Sequence, residues 1–160
     1  MGLDAHVSCN CAREGKLAPF PFPGRLRFDQ HHEPILMGEN GSESATIEEL
    51  LVFDSWVHSC VHQGYLARER IGNISLIAAL REWVEAVQSA TGKRFPVISG
   101  KIIYDGVHAG DYLDADDVRR LTLELDELGS LAREPFQREF LGAMRRLCEA
   151  SVATGNLIGF

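Results

Sequence analysis

Near the start of the chain, apolar side chains return at every second residue: Leu3, Ala5 and Val7 alternate with Asp4, His6 and Ser8. A two-residue period places one set of side chains on one face of a strand, so residues 3–8 are predicted to form a half-buried strand. If that strand continues, the same face carries Cys9 and Cys11. Pro19, Pro21 and Pro23 then rule out any regular element, and Phe20 and Phe22 between them predict an extended, partly docked stretch. Arg25 to Phe28 reads as a short edge strand. Residues 29–45 are polar and contain glycine, which predicts a loop.

From Thr46 the period changes to three and four. A helix is predicted from about Thr46 to Gln63, capped by Ser44 or Thr46, with Glu48 and Glu49 at its positive end and Gly64 as its stop. Its buried stripe would be Leu50, Phe53, Trp56, Val57 and Cys60. A second helix is predicted from Ile74 to Ala90 between Asn73 as cap and Gly92 as stop, with Ile77, Leu80, Val84 and Val87 facing inward and Ile74 and Trp83 alongside. Phe95-Pro96 interrupts the chain. Val97-Ile98 and Lys101 to Tyr104 predict a short strand region, and Asp105 to Asp111 a loop with two glycines. A third helix begins near Ala115, capped by Asp114, with Val118, Leu121, Leu125 and Leu128 inward and Gly129 at its end. A fourth has Pro135 in its first turn and Phe136, Phe140, Met144, Leu147 and Cys148 on one face, and Gly155 closes it. Leu157 to Phe160 reads as a last strand tucked into the sheet, since an apolar terminus left exposed would fray. The predicted class is α+β: a small sheet including both chain termini, covered by about four helices, in a single globular domain over 1–160.

Composition changes this picture little: 45% hydrophobic and 24% charged residues suit a folded core. No apolar run approaches the roughly 20 residues of a membrane span. The N-terminus lacks the basic cap and apolar stretch of a secretory signal, and four cysteines without one point to thiols in a reducing cytoplasm. Charge changes the picture more. A net charge of −7 argues against nucleic acid as partner, because phosphate contacts need a basic surface. From Asp29 to Asp54 there are seven carboxylates and no Lys or Arg. Asp105, Asp111, Asp114, Asp116 and Asp117 form a second acidic group. The plainer reading is a solvated surface. The sharper one is a face that captures a basic partner through Glu39, Glu43, Glu48, Glu49, Asp54, Asp111, Asp114, Asp116 and Asp117, with His108 beside them.

Sulfur and imidazole side chains fall in two clusters, Cys9-Asn10-Cys11 and His58-Ser59-Cys60-Val61-His62. Zinc prefers four tetrahedral ligands from Cys and His, which the two clusters can supply together. On an intact helix His58 and His62 share a face, giving Cys9, Cys11, His58 and His62. A helix that ends before Gly64 instead offers Cys60 and His62, and Cys9, Cys11, Cys60 and His62 is the expected ligand set, with His58 as the alternative to Cys60. Neither set has the spacing of a standard zinc finger, and the alternative is that the cysteines are small buried apolar residues. A second candidate is the glycine loop, where His108 and Asp111 could form an imidazole–carboxylate pair. Its plainer reading is a turn held by local hydrogen bonds. No phosphate-binding loop, paired-carboxylate signature or activated nucleophile is present, so no catalytic residue is assigned.

Met1-Gly2-Leu3-Asp4 with Cys9-Asn10-Cys11, Phe53-Asp54-x-Trp56, Cys60-x-His62 and Gly106 to Leu113 resembles a family of uncharacterised bacterial proteins of this size. The chain is also similar to small immunity proteins of bacterial polymorphic toxin systems. The resemblance places emphasis on Cys9, Cys11, Cys60, His62, His108 and Asp111. With the charge pattern, it implies a cytoplasmic binding protein that neutralises a cognate toxin by covering its active site through an acidic surface. The alternatives are a metal-dependent hydrolase built on His108 and Asp111, and a small domain with a structural zinc site.

Overall fold

The computed structural model describes residues 2–29, 32–39, 41, 45–105 and 111–160, and the statements below concern those residues. The fold is α+β. Its contacts fall into two compact units, Met1–Val7 with Ala67–Phe160, and Ser8–Leu66.

The larger unit is built on a four-stranded sheet in the order β4-β1-β6-β5, where β1 is Gly2–Ser8, β4 Tyr65–Asn73, β5 Tyr112–Leu113 and β6 Ile158–Gly159. The first and last strands are neighbours, with His6 opposite Gly159, and β6 pairs antiparallel with β5 through Leu113 and Ile158. Leu3, Ala5 and Val7 are buried, as the two-residue period predicts. Three helices cover the core: α2 (Ile74–Thr91), α3 (Ala115–Gly129) and α4 (Pro135–Thr154). Their ends follow the sequence signals. Asn73 accepts the Leu76 N–H at 2.9 Å, Asp114 accepts from Asp116 and Asp117, and Gly92 and Gly155 end α2 and α4 in left-handed geometry. Ile77, Leu80, Val84, Leu121, Leu125, Phe140, Met144 and Leu147 join the sheet residues in one buried cluster.

The predicted strand region at 97–104 is a correction. The chain coils there, with Ser99 N–H bonded to the Phe95 carbonyl at 2.8 Å and a π-type turn over Ile98–Ile102 closed by Ile103 N–H on the Ile98 carbonyl at 2.9 Å. The cause is Glu124 of α3, a buried carboxylate that accepts the Val97 and Ile98 N–H groups at 3.0 and 2.9 Å and starts the coil.

In the smaller unit, β2 (Leu26–Phe28) and β3 (Pro34–Leu36) form an antiparallel hairpin, Leu26 opposite Leu36. The segment predicted as loop over 29–45 therefore holds a strand, which Leu36 anchors by its burial. Helix α1 spans Ile47–Val57. Thr46 and Glu49 cap it reciprocally, at 3.2 and 2.9 Å. It stops well short of the predicted Gln63. The Ser59 hydroxyl donates to the Trp56 carbonyl at 2.7 Å, and the chain leaves the helical path. Leu50, expected on the buried stripe, is 47% exposed, and the inward side is Phe53 and Trp56. Phe20 docks edge-on against both rings, with centroids at 6.1 and 4.7 Å, and the Trp56 indole donates to the Ala18 carbonyl at 2.8 Å. Arg25 lies over the Phe22 ring and binds Glu49 at 2.6 Å.

Candidate metal centre

Two turns of the smaller unit carry the chemistry. The first follows β1, where Glu14 N–H closes on the Asn10 carbonyl and Lys16 N–H on the Cys11 carbonyl, both at 2.9 Å. The second follows α1, where Gln63 N–H closes on Cys60 and Tyr65 N–H on His62, at 2.9 and 3.1 Å. One backbone bond joins the two turns, Cys9 N–H to the Gly64 carbonyl at 2.9 Å. The helix ends at Val57, so Cys60 and His62 lie on a turn rather than on opposite faces of a helix.

Cys9 and Cys60 bring their sulfurs to 3.6 Å, and Cys11 Sγ lies 3.2 Å from His62 Nδ1. The four ligand atoms all lie within 4.8 Å of one another. A tetrahedral zinc ion with ordinary bond lengths sets sulfurs about 3.8 Å apart and a sulfur and a ring nitrogen about 3.5 Å apart. The cluster therefore has the dimensions of a metal-ion site. Cys11 is buried, Cys9 and Cys60 are half-buried and His62 is exposed. His58 stands apart from this set. Its Nδ1 is 2.7 Å from the Asp54 carbonyl and 3.3 Å from the Asp54 carboxylate, and its ring packs on Tyr65. It was the alternative to Cys60 only for a helix that continued to Gln63.

The three thiols differ in their surroundings. Burial, and then the neighbouring thiols, push Cys11 up to about 12, and burial also raises Cys9. Burial opposes ionisation of Cys60 too, but the Gly64 N–H, 3.4 Å from its sulfur, helps hold it below the ordinary thiol value. Ionising all three thiols this close together would require a compensating positive charge, which a divalent ion could supply. Gly64 is the functional residue that sequence reasoning placed but did not interpret. Its N–H faces one ligand, its carbonyl holds the backbone of another, and its φ is +84°. The fourth cysteine, Cys148, is buried in the larger unit, where burial raises it to about 11.

The acidic candidates have varied surroundings. Glu49 is paired with Arg25, Asp114 caps α3, Asp116 bonds Arg119, and Asp117 is buried against the Lys101 ammonium at 2.5 Å. Glu39, Glu48 and Asp54 are exposed. Asp111 accepts the Tyr104 hydroxyl at 2.5 Å, beside an open cleft of about 360 Å³ lined also by Lys101, Tyr112, Asp114 and Asp117. That bond, before any effect of burial, holds the Tyr104 phenol up at about 12. Glu43 and His108 lie outside the described residues.

No family model, curated protein or solved structure matches the chain. Among the described residues, no helix is long and apolar enough to cross a membrane.

Proposed function

We propose that this chain is a zinc-binding protein in which Cys9, Cys11, Cys60 and His62 hold one structural zinc ion, and that it works by binding rather than by catalysis. The observation that carries the reading is the convergence of three sulfurs and one imidazole nitrogen within 4.8 Å, from segments about fifty residues apart in sequence. Three thiolates and a histidine suit zinc over calcium or magnesium, which take oxygen ligands. Four protein ligands complete a tetrahedron and leave no open position for a reacting water, which separates a structural site from a hydrolytic one.

The composition of the smaller unit supports a structural role. Among its described residues the buried apolar side chains are Cys11, Leu36 and Trp56. A segment below about 70–80 residues with so small a core usually relies on a metal or disulfides. Chelation is therefore expected to lower the melting temperature, and Cys60→Ser to abolish stoichiometric zinc uptake. If Cys60→Ser takes up zinc as the wild type does, the proposed ligand set is wrong.

A second reading, the immunity-type inhibitor of a basic toxin, draws support from exposed Glu48 and Asp54 on α1. It places the working surface on this helix rather than at Asp116 and Asp117, which are paired with the permanent cations Arg119 and Lys101, or at Asp114, which caps α3. Co-expression with a toxin encoded beside this gene tests it: survival supports the reading and unrelieved killing ends it.

A further inference from the structure

Helix α1 is apolar on two sides. Phe53 and Trp56 face inward, yet Ile47, Leu50, Leu51 and Val52 are exposed to 74, 47, 66 and 46%. At 100° per residue, Ile47, Leu50 and Leu51 project away from Trp56, whereas Val52 lies nearer the Trp56 side, beyond Glu48. A cluster of exposed aliphatic side chains on one short helix marks an interaction site.

Charge selects the occupant. In helical projection Asp54 falls between Leu50 and Ile47, and Glu48 between Leu51 and Val52; both carboxylates are exposed. Arg25 neutralises Glu49 on the inward side. Asp54 has the His58 ring at 3.3 Å, a group that is cationic only when protonated. The helix itself contains no Lys or Arg. Pairing α1 with a second copy of itself would therefore set carboxylates against carboxylates with no cation to answer them. Anionic lipid headgroups are repelled for the same reason. An aliphatic ridge flanked by Lys or Arg meets both requirements at once.

We propose that the outward arc of α1 docks a basic amphipathic helix of a partner protein, its aliphatic ridge on Ile47, Leu50 and Leu51 and its cations on Glu48 and Asp54. The proposal deepens the partner-binding reading and does not depend on what the metal does. The test titrates the full zinc-loaded chain with two synthetic amphipathic helices of about 18 residues, five turns, one pairing Leu with Lys and the other Leu with Glu. The Lys helix is expected to bind and the Glu helix not to. Ile47→Gln with Leu51→Gln, which leaves net charge unchanged, is expected to weaken binding at least tenfold. Glu48→Gln with Asp54→Asn should weaken it and flatten its salt dependence. Zinc content and helicity measured on each variant separate lost docking from lost folding, and Leu51→Gln alone decides if the double variant is misfolded. Three results would overturn the proposal: binding equal in wild type and the correctly folded apolar variant, binding of both helices or of neither, or a wild-type dimer that Leu51→Gln dissolves. The first leaves the broader partner-binding reading standing, because attraction would then lie elsewhere on the acidic surface.

Discussion

Gly64 shows how much one residue can decide. A Cβ there would stand 2.9 Å from the His58 ring, on a backbone whose φ of +84° disfavours any L side chain. Gly64→Ala is expected to introduce about 1–2 kcal/mol of strain and to weaken zinc affinity at least tenfold, read by competition with a chromogenic chelator. Its place after Cys60-x-His62 was visible in the sequence; its N–H contact with a ligand sulfur was not, because that depends on the turn. Two glutamates respond to pH with opposite sign. The Arg25 guanidinium and the Thr46 N–H hold Glu49 at about 2 against an ordinary 4.5. Its contribution to stability is therefore present above pH 4.5 and lost as pH falls toward 2, and Glu49→Gln should remove that acid-side loss in denaturation curves. Burial raises Glu124 instead, although two backbone N–H groups oppose the shift. Its contribution is full below pH 4.5 and declines as pH rises through the elevated folded value, so Glu124→Ala should flatten that decline. The same substitution leaves two buried N–H groups without acceptors and is expected to lower stability by about 2–4 kcal/mol in urea unfolding.

Elements were legible where period and caps agreed. Helices α2, α3 and α4 combine a three-four stripe with a capping or terminating residue, and their observed ends lie close to those signals. Strand β4 leaves no clear period in the sequence, because its inward side mixes Tyr65, Ala67 and Ile71 with Glu69. That glutamate accepts the Arg146 guanidinium of α4 at 2.6 and 2.8 Å, so a charge stands where the pattern would need an apolar residue. The 97–104 segment misled for the opposite reason. Val97, Ile98, Ile102 and Ile103 are all buried, and a short apolar run does not distinguish strand from coil by period. Helix α1 was found but overextended, since the Ser59 hydroxyl that meets the Trp56 carbonyl has no mark in a hydrophobic pattern. Its start rests on the Thr46–Glu49 capping box. Thr46→Ala is expected to lose about 1 kcal/mol and to raise amide exchange in the first turn, with less effect at Trp56.

The whole molecule divides its stabilisation unevenly. The large buried cluster lies in the unit formed by Met1–Val7 and Ala67–Phe160, whereas Ser8–Leu66 holds few buried apolar side chains and all four proposed ligands. The metal account assigns to zinc the stabilisation that a core supplies elsewhere. Hydrogen exchange after chelation should therefore rise across 8–66 while amides of α3 and α4 keep their protection. The clustering of Cys and His in two short stretches makes this centre legible in the sequence, Cys60 ahead of His58 included; the physical reason for that order, the end of α1 at Val57, is visible only in the fold. The most direct measurement is the metal content of the chain purified without added metal, by elemental analysis alongside native mass spectrometry. The account predicts one zinc ion per chain, and none in the Cys11→Ser and Cys60→Ser variants. A wild-type chain that carries no metal, takes up none from micromolar zinc and melts unchanged in chelator would contradict it.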